Sequence, residues 1–259
     1  MLCRLVVTSA MLVGMGASAS NEAAPRSAFG PGEQLTFKVA FLGMTAGTAE
    51  ITVGSEMQHW GRTVWPIVAL AKSESLGALY DIKDKFVTYW DHAEHRTIGS
   101  DLFAEENRKR RRQRIRLEGT SAHVTKQNHG ASEVEETHEV APFSMDMAAV
   151  TFALRNKALA IGQTHEMPVF TGARSFILKA TVEGVQKLST PLGERDVFKV
   201  RVATQFSGKL AAKRDLYAYL TTDEARVPVR VEAEFLVGSI TADLTDYKPG
   251  RSLAAVDVP

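Results

Sequence analysis

Leu35, Phe37, Val39 and Phe41 alternate with Gln34, Thr36, Lys38 and Ala40. Successive side chains of a strand point to opposite faces, so this two-residue period describes a strand with one buried face. The period returns at once. Ala49, Ile51 and Val53 alternate with Thr48, Glu50 and Thr52, and a glycine-bounded turn from Gly43 to Gly47 makes the pair a hairpin. Further strands are expected over residues 63–73, 84–90, 97–105, 165–170, 176–183, 197–204, 214–220, 227–235 and 239–245. Each is short, and most end near Gly, Pro, Asp or Ser. Pro66 puts the 63–73 strand at an edge or a bulge. No βαβ pattern and no internal repeat interrupts the series. The expected fold is mainly β, a curved antiparallel sheet or open β-barrel.

One helix is expected inside this series. Pro142-Phe143-Ser144 precedes residues 145–156, with Ser144 placed to cap the helix and Asp146 in its first turn, where the helix dipole favours an anion. Met147, Val150 and Leu154 share one face, as core-facing residues do. The helix is therefore central to the β fold.

The amino terminus has the form of an export leader. Met1-Leu2-Cys3-Arg4 carries one positive charge, residues 5–17 are apolar or small apart from Thr8 and Ser9, and Ala17-Ser18-Ala19 matches a signal-peptidase site. The apolar run falls short of the roughly 20 residues that span a bilayer. Expected boundaries are a signal peptide over 1–19, a flexible leader over 20–31, a single β-rich domain over 32–247 and a tail over 248–259. Cys3 is the one cysteine, and it precedes the apolar run, so it is not placed to accept a lipid. The remaining chain has no cysteine, which excludes disulfides, thiolate nucleophiles and cysteine-bound zinc. A cysteine-free exported chain fits the periplasm or envelope of a bacterium. No later stretch reaches transmembrane length.

Charge is balanced except in one place. The whole chain carries 31 basic and 30 acidic residues. Yet Arg108, Lys109, Arg110, Arg111, Arg112, Arg114 and Arg116 fall within nine positions. In a strand, Arg108, Arg110, Arg112, Arg114 and Arg116 take one face, and Ile115 and Leu117 lie on the other. These five arginines are the candidate anion-binding residues. Glu133, Glu135, Glu136 and Glu139 follow, and an acidic neighbouring strand would neutralise the stripe without any ligand. Nucleic acid is excluded as a partner, because the chain is near neutral and no aromatic residues interleave with the basic ones.

Signals for catalysis are absent. The sequence has no G-x-S-x-G elbow, no phosphate-binding loop and no dinucleotide fingerprint, so no catalytic or cofactor-binding residue is named and no cofactor is expected. His92 and His95 stand three apart, but in a polar turn where helical ligand spacing has no meaning, so no metal site is assigned. Asp81 with Asp84, and Asp223 with Glu224, are paired in sequence only, and both pairs are expected in turns.

Several landmarks fall in an order that resembles the bacterial domain-of-unknown-function family 3108. Gly32-Glu33-Gln34-Leu35-Thr36-Phe37, Phe41-Leu42-Gly43 and Ala46-Gly47-Thr48 resemble its opening hairpin. The helix with Asp146 and Leu154-Arg155, followed by Gly162, resembles its central helix. Thr190-Pro191-Leu192-Gly193 and Lys199-Val200 resemble a later turn and strand. Residues 216–223, then Arg226-Val227-Pro228-Val229-Arg230 and Gly238-Ser239-Ile240, resemble the closing strands. Tyr219 to Asp223 departs from the family, which often has a tryptophan there. The resemblance implies an exported, β-rich envelope protein and brings no catalytic residues. The function expected is binding or carriage of an amphiphilic or anionic envelope component, lipid or glycolipid, without catalysis. The alternatives are an envelope assembly module that binds a protein partner, and an enzyme acting on envelope glycan.

Overall fold

A computed structural model describes residues 27–74, 81–203, 216–235 and 238–251. The expected signal peptide, most of the 20–31 leader, most of the tail and the ends of two expected strands (204 and 214–215) lie outside these residues.

The first half of the chain forms β1 (Gln34–Phe41), β2 (Met44–Val53), β3 (Met57–His59), β4 (Arg62–Ser73), β5 (Ile82–Asp91), β6 (Arg96–Glu106), β7 (Lys109–Glu118), β8 (Ser121–Asn128) and β9 (Val134–Glu139). The helix α1 (Met147–Arg155) follows. Then come β10 (Thr164–Phe170), β11 (Ser175–Thr190), β12 (Gly193–Ala203), β13 (Leu216–Thr221), β14 (Pro228–Phe235) and β15 (Gly238–Lys248). The strands pair antiparallel in the order β10-β11-β12-β13-β14-β15-β1-β2-β4-β5-β6-β7-β8-β9, with β3 off this path beside β4. The first and last strands are thus neighbours, and the two sheet edges are the strands that flank α1 in sequence.

The sheet curls around the helix without closing. Val53, Trp65, Ile67 and Trp90 from one half share a core with Met167, Leu178, Val200 and Leu220 from the other, and α1 lies among them. At the seam, Phe170 packs on Ile115, Ala122, Val124 and Val140, and Gln113 Nε2 donates to the Thr171 carbonyl at 3.0 Å. No ladder joins β9 to β10. The open-barrel expectation with a central helix therefore holds.

Local corrections have clear causes. The helix is capped by Asp146, not Ser144: the Asp146 carboxylate accepts from the Ala149 amide at 2.8 Å. Ser144 Oγ is spent on the Ala141 carbonyl, and Met145 is held extended by a bridge to Val169 of β10. Helical geometry can begin only after it. Val150 and Leu154 are buried as expected, whereas Met147 is half-buried and Ala149, Phe152, Ala153 and Arg155 are also enclosed. The first hairpin turns on Leu42-Gly43 alone, both at positive φ, so Met44 to Gly47 belong to β2. Asp84 lies in β5 and not in a turn. Pro66 occupies the point where β4 exchanges β3 for β2 as its neighbour, so its missing amide costs no ladder bond on that side.

Candidate anion-binding surface

The arginine run is the strand β7 together with the turn before it. Arg108 is not on the strand: Asn107 and Arg108, both at positive φ, form the two-residue turn between β6 and β7. Asn107 clips this turn to the start of β5, donating its amide to the Asp81 carbonyl at 2.8 Å and accepting the Asp81 amide on Oδ1 at 2.9 Å. Arg110, Arg112, Arg114 and Arg116 share the outer face, as the alternation requires, while Ile115 is buried on the inner face.

The expected acidic partner is displaced. β8 separates β7 from β9, so Glu133, Glu135 and Glu139 are not cross-strand neighbours of the arginines. Two strand spacings put them about 9–10 Å away. Glu136 instead pairs with Lys126 at 2.5 Å. The arginines meet β6: Glu105, Phe103, Asp101 and Gly99 stand opposite Arg110, Arg112, Arg114 and Arg116. The stripe therefore meets β6 in place of the acidic strand.

These contacts divide the stripe in two. Arg114 is fixed, with its guanidinium 2.8 and 3.3 Å from the two oxygens of buried Asp101. Asp101 also accepts from Tyr89 Oη at 2.9 Å, and burial together with that carboxylate pushes the Tyr89 phenol up to about 12. His59 stacks on Tyr89 at 3.7 Å, and burial lowers the His59 imidazole below its ordinary range. Arg116 lies over Trp60 and pairs with Glu118. This lower half is a closed structural cluster in which β3 and its turn cover the sheet.

The upper half is different. Arg112 lies over the ring of Phe103, 6.0 Å from its centroid, and Phe103 is 41% exposed. Arg110 reaches Glu105 at 3.0 Å while remaining largely in solvent, an arrangement that contributes about 0–1 kcal/mol. The register brings lysines alongside: Lys85 stands opposite Phe103, Lys83 opposite Glu105, and Lys72 opposite Lys83. The result is a depression of about 350 Å³ on the outer face. Lys72, Lys83, Lys85, Arg110 and Arg112 line it against the Glu105 carboxylate, with Leu70 and Phe103 as apolar floor; Asp84 and Arg111 border it from positions that alternate to the other face. Asp84 accepts from the Glu105 amide at 3.1 Å; burial first, and Glu106 second, raise its acidity range above that of an ordinary carboxylate. Among the described residues, no carboxylate lies within ion-pair distance of Lys72, Lys85, Arg111 or Arg112.

Cations of this kind can bind phosphate or carboxylate oxygens, and the exposed ring beside them can contact a hydrocarbon segment. The lysines and Phe103 escaped sequence reading because they come from three strands. Their signal was the alternation Lys83, Lys85 beside Asp84, Phe86, which puts both lysines on the outward face.

The other singled-out groups have structural surroundings. His92 stacks on Trp65 at 4.5 Å, and His95 Nδ1 is 3.3 Å from Asn156 Nδ2. Among the described residues, no group of three or more His, Cys, Asp or Glu could hold a metal ion. Asp223 caps its own turn, accepting from Thr221 Oγ1 at 2.7 Å and from the Arg226 amide at 3.2 Å.

With this geometry in view, the family assignment is direct. The family model described as "Protein of unknown function (DUF3108)" matches residues 36–245. The chain belongs to that family. The DUF3108 match spans β1 to β15, and so includes both α1 and the arginine strand. No curated protein matches the chain in sequence. Among solved structures, the beta-barrel-like protein of domain of unknown function DUF1849 from Brucella abortus has a TM-score of 0.56 at 10% identity, covering 84% of this chain and 97% of that one. The likeness is one of fold. A "putative lipoprotein" from Parabacteroides distasonis has a TM-score of 0.32 at 10% identity, covering 86% of this chain and 99% of that one. Among the described residues, no helix is long and apolar enough to cross a membrane.

Proposed function

We propose that this DUF3108 protein is a non-enzymatic, exported protein of the bacterial envelope that holds an anionic amphiphile on the outer face of its sheet. The observation that carries the reading is the depression around Phe103, where five cations, Lys72, Lys83, Lys85, Arg110 and Arg112, meet the one carboxylate of Glu105 beside exposed apolar surface. Arg110 and Arg112 remain from the sequence-derived set, joined by Lys72, Lys83 and Lys85. Arg108 lies next to them in the turn, and Arg114 and Arg116 support the strand through Asp101, Glu118 and Trp60.

The concave face of the sheet is taken up by the helix. α1 fills its centre with Ala149, Val150, Phe152, Ala153 and Leu154, packed against Trp65 and Trp90. Interiors packed in this way leave little room for a guest. Export rests on the amino-terminal leader pattern.

Native mass spectrometry of the protein, purified gently from envelope extracts, tests the proposal. The expected result is an adduct with the mass of a phosphate- or carboxylate-bearing amphiphile, lost from K85Q/R110Q/R112Q. A clean unliganded species that gains no adduct from envelope extract contradicts it.

A further inference from the structure

The first hairpin carries a residue that its turn does not favour. Leu42 has φ +51 and Gly43 φ +79, the left-handed pair of a two-residue hairpin turn. Such turns favour Asn or Asp before the glycine, because a bulky side chain is strained at positive φ. The chain does use Asn at the matching place in the β6–β7 turn, Asn107. Leu42 is not compensated by burial: it is 56% exposed, as is Met44 beside it. Ile240, paired with Phe41 across β1 and β15, extends the same apolar lip.

The topology puts this lip at the basic end of the sheet. β1 ends and β2 begins at the lip, while β4 ends and β5 begins near Lys72 and Lys83. β6 ends and β7 begins at Asn107-Arg108, followed by Lys109, Arg110 and Arg111. All these strand ends lie at one end of the sheet, because neighbouring strands run antiparallel. From β1 to β7 along the sheet is about 24 Å. Across the β4–β7 part of this end, the cations Lys72, Lys83, Lys85, Arg108, Lys109, Arg110, Arg111 and Arg112 outnumber the carboxylates Glu74, Asp81, Asp84, Glu105 and Glu106.

We infer that this end of the barrel docks on an anionic bilayer, with Leu42 and Met44 at the interface and the adjoining lysines and arginines among the headgroup phosphates. The inference rests on the reading of the basic depression and places its amphiphile in a membrane surface. Exposed apolar side chains next to a basic patch supply the two signals that reversible membrane attachment needs. Basic residues alone would draw the protein toward headgroups without anchoring it, and the lip alone would have no preference for anionic lipid.

The test uses the full chain, with vesicles of phosphatidylcholine alone or mixed with phosphatidylglycerol, and separately with dispersed dodecyl phosphate. The wild type should sediment with the mixed vesicles only. L42N/M44S should reduce that partitioning by about tenfold or more, since both apolar anchors are gone. It should still bind dispersed dodecyl phosphate. L42N alone should raise Tm while lowering partitioning, because Asn suits the turn better; a packing role for Leu42 would lower Tm. Vesicle binding unchanged in L42N/M44S, or equal wild-type binding to phosphatidylcholine alone, overturns the inference and leaves the depression standing. Failure of the wild type to bind dodecyl phosphate overturns the reading of the depression itself.

Discussion

Arg155, at the end of α1, holds Glu33, just before β1, in a two-pronged ion pair from which water is excluded. Its Nη1 and Nη2 lie 2.9 and 2.7 Å from the two carboxylate oxygens, and the two side chains are 0% and 1% exposed. The guanidinium also donates to the Ala225 and Ala28 carbonyls and lies against the rings of Phe29 and Phe152, which meet edge to face. Tyr247 of β15 donates to Glu33 at 3.0 Å. One pair thus joins the helix to the segment before β1, to β15 and to the turn between β13 and β14. Removing one partner strands the other charge without solvent. R155M should therefore cost about 3–5 kcal/mol in urea unfolding. E33Q/R155M should recover part of that loss, because no bare charge is left behind.

Asp146 sets a pH dependence. Burial raises its carboxyl from the ordinary 3.8 to about 6, against the opposing pull of its bonds to Ala149, Thr88 and Thr97. The folded state therefore binds a proton more tightly than the unfolded state. This group's contribution to stability is fully present below about pH 4 and is lost as pH rises through about 6. Its size is about 2–3 kcal/mol. D146N keeps the cap with a neutral side chain, so it should be more stable than the wild type at pH 7.5 and lack this slope between pH 4 and 6. Denaturant midpoints measured across that range check both expectations.

Gly99 of β6, opposite Arg116, has no room for a side chain. Its φ is +152, and an added Cβ would sit 2.1 Å from the Ile115 carbonyl oxygen and 2.6 Å from the Trp60 ring. G99A should destabilise by more than about 2 kcal/mol, because the clash is with backbone and the conformation is strained for a side chain. Hydrogen exchange should then quicken in β6 and β7 before it does in β11 and β12.

Much of the architecture was legible because alternation is a local property. Leu35, Phe37 and Val53 could be assigned to a buried face from their neighbours alone. What alternation cannot reveal is which strand lies beside which. The acidic segment looked like the partner of Arg110 to Arg116 because it follows closely in sequence, yet β8 intervenes and Asp101 and Glu105 take that role. The helix cap was misread for a related reason: Met145 is held by β10, more than twenty residues later in the chain. The motif residues Glu33 and Leu154-Arg155 carried the family resemblance without disclosing that Glu33 and Arg155 touch.

The lower arginines make a separate prediction about what positions the upper ones. R114Q would leave Asp101 buried with Tyr89 as its remaining side-chain hydrogen-bond donor, so it should cost about 1–3 kcal/mol of stability. R112Q, whose side chain touches Phe103 in solvent, should stay within about 0.5 kcal/mol of the wild type. Thermal unfolding of the two variants separates structural arginines from those available to a ligand.

The central claim is that Lys85, Arg110 and Arg112 around Phe103 bind an anionic amphiphile. Calorimetric titration with dispersed dodecyl phosphate tests it most directly, in the wild type and in K85Q/R110Q/R112Q, at low and high salt. The account predicts saturable binding that weakens with salt and falls at least about tenfold in the variant, with the unfolding midpoint of the variant near that of the wild type. Wild-type affinity in the folded variant, or no saturable binding by the wild type, would contradict it.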